Sequence, residues 1–118
     1  MERKFDLELI LIDFAVQGIK LIGKVEKPFV QDHLSKQLIR TLTKVVLNYG
    51  EVQGAESNKD VIHRMGLVPK ELKESRFNLK TQIKSNLLKD IDKAHLALKE
   101  GQELVAIFGQ SIKTAKLK

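Results

Sequence analysis

Cysteine and tryptophan are absent from this 118-residue chain, and the other aromatic residues are few. Without cysteine, neither a disulfide framework nor a thiolate metal site can form. No apolar run reaches the length of about eighteen residues that a membrane-spanning helix needs, so we expect no membrane partner. The scarcity of aromatic rings also leaves little for stacking on nucleic-acid bases.

Acidic residues are fewer than basic ones, which leaves a net charge of +6. The first 60 residues contain nine of each sign, whereas residues 61–118 contain twelve basic and six acidic residues. A basic half can attract nucleic acid or another polyanion, although the same charge also serves solubility. The charged start, MERKFDLELI, lacks the apolar core of a signal peptide. We therefore expect a cytoplasmic protein that forms a single domain over residues 1–118.

Apolar residues recur at steps of three and four in four segments, which is the pattern of amphipathic α-helices. The predicted helices cover residues 6–26, 30–53 and 57–85, and the fourth begins after Asp90 or Asp92 and continues into the basic tail. No segment shows the alternation of a strand. Because the connections are short, the fold class is predicted as all-α, an antiparallel up-down-up-down four-helix bundle.

The first predicted helix is apolar on two opposite sides. One stripe contains Leu7, Leu11, Phe14, Leu21, Ile22 and Val25. The other contains Leu9, Ile12, Val16 and Ile19. In a chain this short only one side can face the bundle, so the second stripe predicts an interface with another subunit.

The second and third predicted helices carry further signals. Beside the apolar stripe of the second helix, Arg40, Asn48 and Glu51 form a polar line. Charged groups beside an apolar stripe are usually paired, so this line predicts a polar network within or between subunits. In the third helix, Pro69 predicts a kink between Met65 and Leu72. Two shorter helices with a break at Gly66 are the alternative.

Two patterns resemble ligand sites, but the surrounding sequence does not support either site. Residues 18–25, GIKLIGKV, have P-loop spacing, but Val25 stands where Ser or Thr would bind magnesium, and the pattern is helical. The pairs Asp60/His63 and Asp92/His95 are spaced like metal ligands. Antiparallel helices would place them at opposite ends of the bundle. No catalytic residue, metal or cofactor is predicted.

Basic residues form a stripe on the third helix and a cluster in the tail. The candidate nucleic-acid contacts are Lys73, Arg76, Lys80, Lys84, Lys113 and Lys116. Such a stripe is the electrostatic signature of a protein that binds a phosphate backbone. Interleaved Glu71 and Glu74 also suit an ordinary solvated face.

Several stretches together resemble the bacterial four-helix-bundle proteins linked to intervening sequences in large-subunit ribosomal RNA genes. The matching stretches are QLIR (37–40), NYGE (48–51), SxxDxIHRMG (57–66), KELKESRFxLK (70–80) and FGQSIKTA (108–115). Asn78, where an aromatic residue is common, and Pro69 depart from the pattern. The resemblance implies a homopentamer. A related branch, the accessory proteins of diversity-generating retroelements, implies contact with reverse transcriptase and nucleic acid.

Three functional hypotheses follow. The first is a non-enzymatic oligomeric bundle that associates with RNA or DNA, or with a nucleic-acid enzyme, through its basic surface. The second is a protein-interaction or structural oligomer without nucleic-acid contact. The third is a small enzyme or metalloprotein, for which the sequence shows no set of catalytic or metal-binding residues.

Overall fold

The computed structural model describes residues 6–22 and 28–117. These residues form α1 (Leu7–Leu21), α2 (Pro28–Val52), α3 (Asn58–Lys84) and α4 (Ile91–Lys116), and they contain no strand. Each helix packs on its sequence neighbours, α1 also packs on α4, and α1 and α3 lie diagonally opposite. The predicted all-α four-helix bundle is confirmed, with extents of 49 × 30 × 21 Å.

Hydrogen bonds between helix ends show that neighbouring helices are antiparallel. The Asn58 side chain at the start of α3 donates to the carbonyl of Ala115 near the end of α4, at 3.2 Å. The Gln31 side chain near the start of α2 donates to the carbonyl of Leu87, just after α3, at 3.3 Å. Gln53, after α2, donates to Glu8 at the start of α1.

The core is formed by the predicted apolar stripes of all four helices. Its largest fully buried apolar side chains are Leu11, Phe14, Leu38, Leu42, Val45, Val68, Leu72, Leu79, Leu104 and Phe108. Complete burial of each such side chain contributes roughly 1.5–3 kcal/mol. Tyr49 of α2 packs edge-to-face on Phe108 of α4, with ring centroids 5.7 Å apart. The core thus joins helices that are not neighbours in the bundle.

Side-chain caps define three helix starts. Asp6 Oδ1 accepts the Leu9 N–H at 3.2 Å, Ser57 Oγ accepts that of Asp60 at 3.1 Å, and Asp90 Oδ1 accepts that of Lys93 at 3.0 Å. Each such bond satisfies a backbone donor that has no partner inside the helix and is worth about 1 kcal/mol. The Ser57 cap is as predicted, and Asp90 rather than Asp92 caps α4.

The prediction that the first helix extends to residue 26 is wrong. Ile22 is extended, with φ −72° and ψ 105°, and its N–H bonds to the carbonyl of Ile19 at 3.1 Å. Gly23 follows, and glycine disfavours helix by about 1 kcal/mol relative to alanine. Residues 23–27, including Val25 and the second glycine of the P-loop-like pattern, lie outside the described residues.

Helix α3 is continuous through Gly66 and Pro69, so the alternative of two shorter helices is wrong. Pro69 has no N–H for the carbonyl of Met65, and the predicted kink stays a prediction. The helix ends at Lys84, and Asn86, two residues further on, has a left-handed φ of 58°. The N–H groups of Asn86 and Leu87 bond to the carbonyls of Ile83 and Gln82. This is a Schellman motif, and it turns the chain towards α4.

Candidate nucleic-acid interface

The outer face of α3 presents three of the predicted lysines to solvent. Lys73, Lys80 and Lys84 are exposed, and within the described residues none of them forms an ion pair. Lys80 Nζ lies over the ring of Phe77, 5.3 Å from its centroid, and Phe77 as a residue is 67% exposed. The face therefore carries uncompensated positive charge beside an accessible aromatic ring.

Arg76 belongs to the same sequence stripe but points elsewhere. Its Nε donates to the carbonyl of Leu98 on α4 at 3.1 Å, and its terminal nitrogen lies 3.5 Å from Gln102 Oε1. The side chain crosses Gly101, where an added Cβ would lie 3.1 Å from Arg76 Cγ. Arg76 thus joins α3 to α4, and its guanidinium is only partly available to a phosphate.

The tail lysines form a separate basic group. Lys113 and Lys116 are exposed near the end of α4, beside the start of α3. Lys84 lies at the opposite end of α3, roughly 40 Å away along a helix of 27 residues. The structure therefore does not bring the six predicted contacts together into one cluster.

A groove of about 650 Å³ lies between α2 and α3, and the sequence did not predict it. Its basic residues are Arg40, Lys44 and Lys70, its acidic ones Glu71 and Glu74, and Phe77 lies at its edge. The remaining lining residues are Leu34, Gln37, Thr41, Asn78 and Thr81. Lys44 and Lys70 were missed because they lie on different helices. The sequence did contain a signal for this groove. Arg40 and Lys44 are four residues apart and Lys70 and Phe77 are seven apart, so each pair lies on one side of its helix.

Glu71 is the buried acidic group of this groove. Burial, together with the charge and hydrogen bond of Glu74, raises the pKa of the Glu71 carboxyl, and Lys44 and Lys70 oppose the shift only in part. An acid in this environment loses its proton less readily.

Polar side chains hold α2 and α3 together along the groove. Ser75 Oγ donates to Thr41 Oγ1 at 2.8 Å, and Asn78 Nδ2 donates to the carbonyl of Leu34 at 2.9 Å. Buried Gln82 donates to Asn78 Oδ1 at 2.7 Å. Asn78 therefore has a bridging role between the two helices.

The predicted network of Arg40, Asn48 and Glu51 does not form within the described part of the chain. Glu51 instead pairs with Arg64 of α3. Arg64 Nε also contacts both carboxylate oxygens of Asp60, at 3.2 and 3.1 Å. Arg40 lines the groove, eleven residues and about 16 Å along α2 from Glu51. A network between subunits stays a prediction.

The second stripe of α1 is accessible in the single chain. Leu9, Ile12, Val16 and Ile19 are 46%, 36%, 41% and 40% exposed. Ile12 shares a shallow groove with Leu47 of α2, which is 64% exposed. We call this surface, made of Leu9, Ile12, Val16, Ile19 and Leu47, the apolar face. Four of its five residues lie on α1, the helix diagonally opposite α3, and Leu47 lies on α2, which packs on α3.

The two pairs with metal-ligand spacing are far apart. Asp60/His63 lies at the start of α3, and Asp92/His95 at the start of α4, which is the other end of the bundle. Asp60 is already bonded to Arg64 and to the N–H of Glu56. Across residues 6–22 and 28–117, no three potential metal ligands cluster.

The P-loop-like residues Gly18 to Leu21 are part of α1, and Gly18 packs against Leu42. None of the helices within the described ranges combines the length and apolar character needed to span a membrane.

A solved structure resembles this fold. It is the crystal structure of a protein of unknown function from the S23 ribosomal protein family of Bacteroides thetaiotaomicron, with a TM-score of 0.77 and 24% identity. The alignment covers 90% of this chain and 97% of that one. No family model and no curated protein matches the sequence. At this level of identity the likeness shows that the two proteins share the four-helix fold.

Proposed function

We propose that this protein is a non-enzymatic, homo-oligomeric bundle of the ribosomal RNA intervening-sequence protein type. It associates with nucleic acid, or with a nucleic-acid enzyme, through the basic outer face of α3. The observation that carries the proposal is the line of Lys73, Lys80 and Lys84, exposed and without ion pairs among the described residues. Counterions released from a phosphate backbone by such lysines favour binding.

The apolar face supports the oligomeric part of the proposal. Four exposed apolar side chains on one side of α1, continued by Leu47, form a surface that a second copy of the chain can cover. The family resemblance implies five copies. Because α1, which carries most of the apolar face, lies diagonally opposite the helix that carries the lysines, assembly through α1 would leave the outer face of α3 accessible.

The alternative is a protein-interaction or structural oligomer with no nucleic-acid contact. The apolar face favours it, since burial of this surface does not require the lysines to bind anything. Under this alternative, the change of Lys73, Lys80 and Lys84 to Gln leaves every protein partner bound.

Binding to a mixed pool of RNA and DNA, measured by light scattering at low and physiological salt, tests the proposal. We expect the oligomer to gain nucleic-acid mass at low salt and to lose it as salt rises. The triple variant Lys73→Gln, Lys80→Gln, Lys84→Gln should reduce the slope of log K against log salt by up to about 3.

The matched control is Lys20→Gln, Lys36→Gln, Lys99→Gln, which removes the same charge from exposed positions on the other three helices. A control variant that weakens binding as much as the α3 variant would show that net charge alone attracts the nucleic acid. An oligomer that takes up no nucleic acid even at low salt would support the alternative.

A further inference from the structure

We propose that the groove between α2 and α3 binds a single-stranded segment of nucleic acid. An unpaired base stacks on Phe77, and the neighbouring phosphates contact Arg40, Lys44 and Lys70. This inference rests on the proposed function, which it narrows from nucleic acid in general to unpaired strands.

The first argument is the setting of Phe77. The residue is 67% exposed on a strongly polar face, where burial does not explain an aromatic side chain. Lys73 and Lys80 lie one helical turn away on either side, and Lys80 Nζ is 5.3 Å from the ring centroid. An accessible ring flanked by cations is the arrangement with which proteins bind single strands, because every base has a π-face and every nucleotide a phosphate.

The second argument is the position of the ring relative to the basic groups across the groove. The bonds Leu34–Asn78 and Thr41–Ser75 align α2 with α3. They place Gln37 opposite Phe77. Lys44 and Lys70 lie seven residues further along their helices, about 10 Å away. A base at the ring can therefore have the phosphates of adjacent nucleotides at Arg40 and at the two lysines.

The third argument is the chemistry of the lining. Gln37, Thr41 and Thr81 offer donors and acceptors suited to the edge of an unpaired base. Three basic residues exceed two acidic ones, and buried Glu71 holds its proton more firmly than an exposed glutamate does. A base inside a duplex cannot stack on a side chain, so this combination favours unpaired strands.

Fluorescence anisotropy with a labelled oligo(dT) and a labelled DNA duplex tests the inference at low salt. Phe77→Leu keeps an apolar side chain but removes the aromatic face. We expect it to weaken oligo(dT) binding by about 5- to 150-fold, the range for the loss of one stacked base. Duplex binding should not change, and Phe77→Trp should retain tight binding to oligo(dT). Lys44→Gln with Lys70→Gln should lower the single-strand salt slope by about 1.4.

The matched control is Phe29→Leu, the same change at an exposed ring outside the groove. It should leave oligo(dT) binding unchanged. Oligo(dT) binding that is indifferent to Phe77→Leu, or a salt slope that responds to Lys73 and Lys84 but not to Lys44 and Lys70, would overturn the inference while leaving the proposed function intact.

Two other results would show that the groove does not bind nucleic acid. A change of oligomeric mass on Phe77→Leu would mean that a second copy of the chain occupies the groove, which would also overturn the inference. Failure of the unchanged protein to bind oligo(dT) at low salt would overturn the inference, and the proposed function would fail separately, in the test with the mixed RNA and DNA pool.

Discussion

At the scale of single residues, the burial and the pKa of Glu71 in the α2/α3 groove depend partly on neighbours that are distant in sequence. Glu71 belongs to a charged run, KELKE, that looks solvated when read alone. In the fold it is buried against α2, and Lys44 is among the charges that act on its carboxyl. Whether a glutamate is exposed or buried in such a run depends on the helix that packs beside it.

Glu71→Gln should raise the stability of the protein at pH 7.5. The raised pKa of Glu71 means that the folded chain binds a proton more tightly than the unfolded chain. The contribution of Glu71 to stability is therefore largest below the unfolded value of 4.5 and is lost as pH rises through the higher folded pKa. Thermal unfolding followed by circular dichroism should show the variant melting higher at pH 7.5, with the difference shrinking towards pH 4.5.

Glu56→Gln is the control, because Glu56 is exposed in the α2–α3 loop. It should change the melting temperature little at either pH. A Glu71→Gln variant less stable than the unchanged protein at pH 7.5 would show that the attraction of Lys44 and Lys70 outweighs the cost of burial.

At the scale of helices, close approach of α1 and α2 depends on one glycine. A Cβ added at Gly18 would lie 2.6 Å from Leu42 Cδ1, and Leu42 is fully buried. The leucine can move only by disturbing the core. By contrast, an added Cβ at Gly66 or Gly109 meets nothing within 4 Å.

Gly18→Ala should lower the free energy of unfolding by up to about 2 kcal/mol. Overpacking of a core costs about 1–3 kcal/mol, which exceeds the gain of about 1 kcal/mol in helix propensity. Gly66→Ala and Gly109→Ala should instead raise it by about 0.5–1 kcal/mol. Urea unfolding of the three variants measures both effects. A stabilised Gly18→Ala variant would mean that α1 shifts away from α2 without cost.

At the scale of the whole molecule, an apolar surface centred on α1 and a basic surface on α3 lie on different sides of the bundle. The apolar face is carried by α1 and by Leu47 of α2, and the exposed lysines are carried by α3. An oligomer built through α1 would display several copies of the basic face, and several linked weak sites bind a long strand more tightly than one.

Ile12→Ser together with Val16→Ser should convert the proposed oligomer to a chain of 13.4 kDa. Both side chains are well exposed in the single chain, so their loss should leave the helical content unchanged. Light scattering and circular dichroism measure the two properties. Phe77→Ser, which removes exposed apolar surface from α3, should leave the mass unchanged. Loss of helical signal in the double variant would instead assign Ile12 and Val16 to the core.

The sequence by itself determined the helices, because helix periodicity and capping are local properties of the chain. The apolar stripes predicted four helices, Ser57 predicted a cap, and the two-sided pattern of α1 identified Leu9 and Ile12 as apolar residues outside the bundle. The error at the end of α1 is also local, since apolar periodicity continues past Ile22 while the backbone does not.

Only the tertiary structure decided which polar residues meet. Arg76 shares a sequence stripe with Lys73 and Lys80, yet its side chain bonds to α4 because Gly101 leaves room for it. Glu51 pairs with Arg64 and not with Arg40, and the groove combines residues more than 25 positions apart. Such contacts depend on the packing and register of neighbouring helices. The spacing of residues within one helix does not predict either property.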